Sequence, residues 1–198
     1  VLIQAAMALT HAYRTTGRAQ DAVAVCDRAL AVYADLGEQI ALITMRVLGV
    51  GRTIALADAG RLFEAETEAT RLMQMTRTEG EIDGIGLAAL VHGWVLFTRG
   101  RLRSAQRAMR LSEASFAQPG HLGMRQWALS VLALTHATSG DGTAASTWLE
   151  RLDQHESHPA DLFGASLVRA RAWSCIANQD PEAARALRDR LRDRRLPA

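Results

Sequence analysis

The residue types that most often carry chemistry are sparse and poorly clustered in this chain. Its six histidines include only one close pair, His155 and His158, with Glu156 between them. Two imidazoles and one carboxylate at a predicted helix end are fewer ligands than a structural zinc site uses, and no further ligand stands nearby in the sequence. We therefore predict no metal site.

The two cysteines, Cys26 and Cys175, stand far apart in the sequence. This spacing excludes a disulfide framework and a zinc-binding motif, and it favours a reducing, cytoplasmic setting. Both cysteines are better explained as small core residues than as nucleophiles. No serine lies in the strand–turn–helix context of a nucleophile elbow.

One stretch, with Gly84, Gly86 and Ala89, matches the dinucleotide-binding pattern G-x-G-x-x-A. No strand is predicted before it, so the match lacks the βαβ context that the chemistry needs. A phosphate-binding loop is excluded because all 23 basic residues are arginine and its lysine is absent. We predict no cofactor and no catalytic residue.

Charge patterning argues against nucleic acid and membranes as direct partners. The formal net charge is only +2, and acidic and basic residues are interspersed, as on solvated helix faces. The basic segment 188–198 alternates arginine with aspartate, which is typical of an exposed helix. No apolar run approaches the roughly 18 residues of a membrane span.

A glycine followed five positions later by alanine recurs about every forty residues along the chain. The pairs are Gly17 and Ala22, Gly60 and Ala65, Gly100 and Ala105, Gly140 and Ala145, and Asn178 and Ala183. Asparagine replaces glycine in the last pair because it tolerates a left-handed backbone best among the other residues. Each such residue is predicted to end one helix, and the small alanine lets the next helix approach closely.

Apolar residues recur at helical spacing on both sides of these turns, and no segment alternates like a strand. First helices are predicted at 1–16, 38–58, 83–99, 122–139 and 160–177. Second helices are predicted at 19–36, 61–79, 101–117, 143–156 and 181–194. Asp180 and Pro181 resemble an N-cap followed by proline at the first helical position.

This pattern resembles the tetratricopeptide repeat (TPR), which places a small residue seven before the turn and a large residue four before it. The small-residue positions are Thr10, Thr53, Gly93, Ala133 and Arg171, and the large-residue positions are Tyr13, Leu56, Leu96, His136 and Ser174. The fifth unit departs at both. The resemblance implies an all-α fold over residues 1–198: one domain, a right-handed superhelix of about five antiparallel helix pairs, or TPR-like solenoid, with a period of about 40.

The long, arginine- and alanine-rich units also resemble the helical region of large bacterial LuxR-type ATP-binding transcriptional regulators, most closely in RARAWSCIANQDPEAARAL, residues 169–187. In that family an ATPase domain precedes the repeats, a helix-turn-helix domain follows them, and the repeats sense an inducer or a partner protein. The chain begins in mid-pattern with the apolar VLIQAAMAL, which suggests a fragment of a longer multidomain protein.

The TPR resemblance implies that the first helix of each pair lines a concave groove. The groove residues that we single out are His11, Arg14, Ile54, Trp94, Phe97 and Trp127. They make the groove apolar in the middle and basic at its start, suited to an amphipathic helix, a peptide or a ring-bearing small molecule. The alternative is that a tightly wound superhelix buries these positions as core.

Three functions remain open at this point. The first is a non-catalytic sensor module of a transcriptional regulator, which recognises a small-molecule effector or a partner protein. The second is a general protein–protein interaction scaffold from another multidomain protein. The third, an enzyme, is disfavoured because the groove offers almost no ionisable cluster. The apolar first helix also predicts pairing with another copy, as a homodimer.

Overall fold

The computed structural model describes residues 2–34, 38–117, 122–155 and 164–193, and within them the regular structure is helical throughout. The helices are α1 (Leu2–Thr15), α2 (Ala19–Ala34), α3 (Glu38–Asp58), α4 (Leu62–Glu79), α5 (Ile82–Thr98), α6 (Leu102–Ser115), α7 (Leu122–Thr138), α8 (Gly142–Asp153), α9 (Gly164–Ala177) and α10 (Pro181–Asp193). Every predicted helix is present with ends shifted by a few residues, and the all-α prediction is confirmed.

The turns between the helices at the predicted glycines share one geometry. All four predicted turn glycines adopt a left-handed backbone: Gly17 (φ 77°), Gly60 (φ 76°), Gly100 (φ 73°) and Gly140 (φ 83°). The amide of the residue after the glycine donates to the carbonyl five residues back, as from Arg18 to Tyr13 at 2.7 Å. The glycine amide donates to the carbonyl three residues back, as from Gly17 to Arg14 at 3.2 Å. These are the two hydrogen bonds of a Schellman motif, which satisfies the last carbonyls of each helix.

The fifth turn corrects the predicted register by one residue. Gln179, and not Asn178, has the positive φ, at 55°, and Asp180 donates to the Cys175 carbonyl at 2.9 Å. The Asn178 amide is used elsewhere: its Nδ2 donates to the carbonyl of Gly142 at 3.2 Å and so ties the end of α9 to the start of α8.

The corrected register improves the fit of the last pair at the small-residue position but not at the large-residue position. Counted from Gln179, the small residue seven before is Ala172, the residue four before is Cys175, and the alanine five after is Ala184. The predicted assignment of Arg171, Ser174 and Ala183 to these positions is wrong, because the preference of asparagine for a left-handed backbone does not determine which of two neighbouring residues adopts it.

The small residues that follow the four glycine turns are buried, whereas Ala183 and Ala184 after the fifth turn are half-buried. The alanines five after the four glycines, Ala22, Ala65, Ala105 and Ala145, have no exposed surface. The predicted N-cap of the last helix is also present. Asp180 Oδ1 accepts from the Ala183 amide at 2.9 Å, and α10 begins at Pro181.

The helices belong to two compact units, residues 1–104 (unit 1) and 105–198 (unit 2). In unit 1, α3 packs on both α1 and α2, and α5 packs on both α3 and α4. Leu48 of α3 is fully buried in a cluster with Ala6, Val25, Ala29 and Tyr33. A Cβ atom at Gly51 would lie 3.0 Å from Met7 Sδ, so α3 approaches α1 closely at this glycine and a larger residue there would require the Met7 side chain to shift.

In unit 2, α9 packs on both α7 and α8. Every residue of α7 from Trp127 to Ala137 is buried. The start of α8 lies close to the end of α9, because a Cβ atom at Gly142 would be 3.0 Å from the Ala177 carbonyl carbon. Each unit therefore repeats one arrangement, in which a first helix lies across both helices of the preceding pair.

Candidate interaction surfaces

The predicted groove residues of unit 1 divide into buried and accessible side chains. Ile54 and Trp94 are only 5% and 7% exposed. His11, Arg14 and Phe97 are half-buried. The Phe97 ring lies 5.8 Å from the Trp94 ring, tilted by 35°, so Phe97 forms the accessible side of an aromatic pair.

The basic start of the predicted groove is paired internally. Arg14 Nε donates to Asp58 Oδ2 at 2.6 Å, which joins the turn ends of α1 and α3. Next to it the Arg18 guanidinium lies 4.5 Å from the centre of the Tyr13 ring. An acidic partner reaching Arg14 would have to compete with Asp58, so this end is less cationic than the sequence suggested.

In unit 2 the groove positions of α7 are buried. Trp127 is 4% exposed, and Ser130, Leu134 and Ala137 are between 0% and 3% exposed. A partner could not touch these side chains without moving their neighbours. Of the six singled-out residues, the structure places three in buried positions and leaves His11, Arg14 and Phe97 accessible; their role in binding stays a prediction.

Two large side chains are exposed on α9, of which the register counted from Asn178 overlooks Trp173 and places Ile176 two residues before the turn. Trp173 is 42% exposed and Ile176 is 62% exposed. They stand six and three residues before Gln179, the register positions of Trp94 and Phe97 before Gly100. Counting from Asn178 had pointed instead to Ala172 and Cys175. The capping signal could have revealed the error, because Asp141 directly follows Gly140 just as Asp180 directly follows Gln179.

A depression of about 360 Å³ lies next to Ile176 at the junction of α9 and α10. Its lining residues are Cys175, Ile176, Gln179, Asp180, Pro181 and Ala184. The apolar surface of Trp173 and Ile176 therefore continues onto the start of α10.

The surroundings of both cysteines favour a role in packing over a role as nucleophiles. Burial raises the pKa of the Cys26 thiol, although a contact with Thr10 Oγ1 at 3.3 Å opposes that rise. Burial also raises the pKa of Cys175. Both shifts favour the neutral thiol, whereas nucleophilic cysteines have lowered pKa values.

One buried charge cluster lies in unit 2. The Glu113 carboxylate accepts from Arg125 Nη2 at 2.7 Å and from Arg151 Nη2 at 3.3 Å. Arg151 lies over the Trp148 ring, 4.9 Å from its centre. This network ties α6, α7 and α8 together, and each of its charges has a partner.

Over the described residues, no three His, Cys, Asp or Glu side chains come close enough together to hold a metal ion. His158 lies outside those residues. In the same ranges, no helix has the length and apolar character needed to cross a membrane.

Comparison with known proteins supports the fold. Two solved structures of a Podosopora anserina protein described as a kinesin light chain with nearly identical TPR-like repeats, one of them a variant, are similar to this chain. Their TM-scores are 0.63 and 0.62 at 16% identity, and the alignments cover 96% of this chain and 93% of theirs. The chain thus has a TPR-like helical-repeat fold. No family model matches it, and neither does any curated protein.

Proposed function

We propose that this chain is a non-catalytic module that binds a protein or peptide through the accessible side chains on the first helices of unit 1. The observation that carries the proposal is the TPR-like fold, which aligns over 96% of the chain with repeats of a class that generally mediates protein–protein interaction. Helix faces of this kind offer apolar anchors to an extended or helical segment.

Phe97 is the anchor of the proposed surface. Its ring is half-buried against Trp94, so its orientation is held while one side stays accessible. A fixed aromatic side chain provides contact area at little cost in conformational entropy, and such residues dominate binding energies. His11 and Arg14 form a polar border at the start of the same unit, where Arg14 can exchange Asp58 for an acidic group of the partner.

A narrower role fits the sequence resemblance. In this role the chain is the sensor segment of a cytoplasmic transcriptional regulator, and its ligand is a partner protein or a small-molecule effector. The support is the similarity of residues 169–187 to such regulators. A thermal-shift screen against metabolites and sugars tests the small-molecule branch: a saturable rise in melting temperature that Phe97→Ala abolishes supports it.

The test of the wider proposal is selection of peptides from a displayed library on the immobilised chain, followed by calorimetry with the selected peptides. Phe97→Ala should weaken binding at least tenfold, as expected of an anchor residue. Phe63→Ala is the matched control, because Phe63 is 77% exposed on α4, a second helix, and should leave binding unchanged.

Equal binding by both variants would exclude the surface around Phe97 as the binding site. Failure to enrich any peptide, repeated with folded domains as display partners, would contradict a protein-binding function. Circular dichroism on both variants shows that each keeps its helices, so that lost binding is not lost folding.

A further inference from the structure

The outer side of α6, the second helix of the third pair, is basic. By their spacing, five exposed residues lie within about 100° of the helix circumference, and these are Arg103, Arg107, Arg110, Leu111 and Ala114. Leu111 is 39% exposed. We call these five residues the arginine face. It starts with three arginines and ends with two apolar residues.

Helix α6 supplies no acidic residue that could neutralise this face. Its single acidic residue, Glu113, is buried and pairs with Arg125 and Arg151. Arg103 and Arg110 form no ion pair with any residue that the structure describes. The charges of these two arginines are therefore available to an anionic partner.

The other second helices show that the repeat does not require arginine on this side. The three arginines of α6 stand three, seven and ten residues after Gly100. None of the equivalent positions in the other second helices is basic: they hold Gln20, Ala24 and Asp27 in α2, Phe63, Thr67 and Thr70 in α4, Thr143, Thr147 and Glu150 in α8, and Glu182, Ala186 and Asp189 in α10. Because the arginines of α6 are also exposed, packing does not account for them.

The exposure of the arginine face does not arise at an end of the repeat array. Arg101, one residue before α6, pairs with Glu66 of α4 at 2.6 Å, and Glu113 pairs with Arg151 of α8 at 3.3 Å. Helix pairs precede and follow α6 in the chain, so this exposure does not depend on where the chain begins or ends.

We propose that the arginine face binds an acidic helical segment of a partner protein. Arg103 and Arg110 are two turns apart, about 10 Å along the helix axis. Two carboxylates seven residues apart on a partner helix have the same spacing, and a guanidinium can hold a carboxylate through two parallel hydrogen bonds. Leu111 and Ala114 offer an apolar contact at one end of the same surface.

A protein segment suits this face better than nucleic acid does. The arginines extend over only two turns and end at apolar residues, and the net charge of the chain is +2. Nucleic-acid binding relies on a broader cationic surface that contacts many phosphates. The arginine face lies on a second helix, apart from the partner surface at Phe97 on a first helix, so either proposal can fail alone.

The test is a selection of displayed helical peptides on the immobilised chain, after depletion of the library on the double variant Arg103→Glu/Arg110→Glu. Peptides that survive depletion and then bind the unmodified chain depend on the arginine face. Arg103→Glu places an acid in the first turn of α6, where the helix dipole favours it, so this variant should fold. Circular dichroism checks that it does.

The selected peptides should carry acidic residues seven positions apart. In calorimetry, Arg103→Ala/Arg110→Ala should weaken their binding by about tenfold or more, and added salt should weaken binding to the unmodified chain. Peptides whose acidic residues are replaced by arginine should bind the Arg103→Glu/Arg110→Glu variant instead.

The matched control is Arg28→Ala/Arg77→Ala, which removes two exposed arginines from α2 and α4 and changes the net charge equally. It should leave binding unchanged. Phe97→Ala should also leave it unchanged, which separates this surface from the one at Phe97.

Three results would overturn the proposal. One is a selection that enriches no acidic sequence. Another is an equal loss of binding in the control variant, which would mean that the peptides respond only to overall charge. The third is an RNA or DNA oligonucleotide that binds through Arg103 and Arg110 while acidic peptides do not bind, which would assign the face to nucleic acid.

Discussion

Helices α7 and α9 hold equivalent places in successive helix pairs of unit 2, yet one is covered and the other is not. Leu134 and Ala137, which stand six and three residues before Gly140 in α7, are 0% and 3% exposed. Their counterparts on α9, Trp173 and Ile176, are 42% and 62% exposed. The larger apolar side chains are the more exposed ones. Burial at a repeat position is therefore decided by the neighbouring pair and not by the hydrophobicity of the residue.

The largest effect expected from this comparison is on stability. Leu134→Ala removes a fully buried side chain and leaves a cavity, so it should lower the free energy of unfolding by about 2–5 kcal/mol. Ile176→Ala removes an exposed aliphatic side chain on the same face of α9 and should change it by less than about 0.5 kcal/mol. Urea unfolding of the two variants measures both changes. Similar losses for both would show that Ile176 is covered in solution.

The contrast between covered and uncovered surface extends to charge. The Glu113 side chain is 11% exposed and lies between Arg125 and Arg151. The variant Glu113→Ala therefore removes the carboxylate that pairs with Arg125, whose side chain is 20% exposed. We expect a loss of about 2–3 kcal/mol, below the range for fully buried pairs because Arg151 is 43% exposed.

The control for the charge comparison is Asp189→Ala, which breaks the exposed pair with Arg188 and should cost less than about 0.5 kcal/mol. Added salt should leave the loss at Glu113 largely unchanged, since buried pairs are weakly screened. If added salt abolished the loss of stability caused by Glu113→Ala, the Glu113 cluster would behave like an exposed surface ion pair.

The two turns of unit 2 allow a reciprocal test. Gln179 adopts φ 55° where Gly140 adopts 83°, and a side chain in this region is strained. Gln179→Gly should raise stability by up to about 1 kcal/mol, because relief of strain exceeds the entropy cost of glycine. Gly140→Gln should lower it by about 1 kcal/mol. Thermal unfolding monitored by circular dichroism gives the direction of the change in melting temperature for each variant. Changes in the same direction for both variants would refute the equivalence of the turns.

The sequence predicted the helices well because turn glycines and caps are local signals. The four glycines, and Asp180 with Pro181, mark helix ends whatever lies around them. The site was less predictable. Trp94 and Trp127 stand at predicted groove positions but are buried, since periodicity shows which face a residue is on and not what covers that face. Trp173 was missed for a simpler reason, a register error of one residue at Asn178.

The smallest expected effect concerns His92, which stands eight before Gly100 in α5, the position of Leu132 in α7. Burial lowers the pKa of His92, with a smaller opposing influence from Glu66 and a further lowering by Arg77. The folded chain therefore binds this proton less readily than the unfolded chain, whose histidines titrate near about pH 6.5. Stability should be complete above that pH and should fall as the pH drops through it, because the unfolded state then takes up more protons.

The variant His92→Leu gives α5 the residue that α7 has at the equivalent position, Leu132, and it removes the titrating imidazole. The free energy of unfolding, measured by urea titration across this pH range, should fall less steeply with acidification in the variant than in the unmodified chain. The difference between the two curves isolates His92 from the other five histidines. Parallel curves would mean that His92 titrates alike in the folded and unfolded states, and that its position in α5 is as open to water as those of Trp173 and Ile176 on α9.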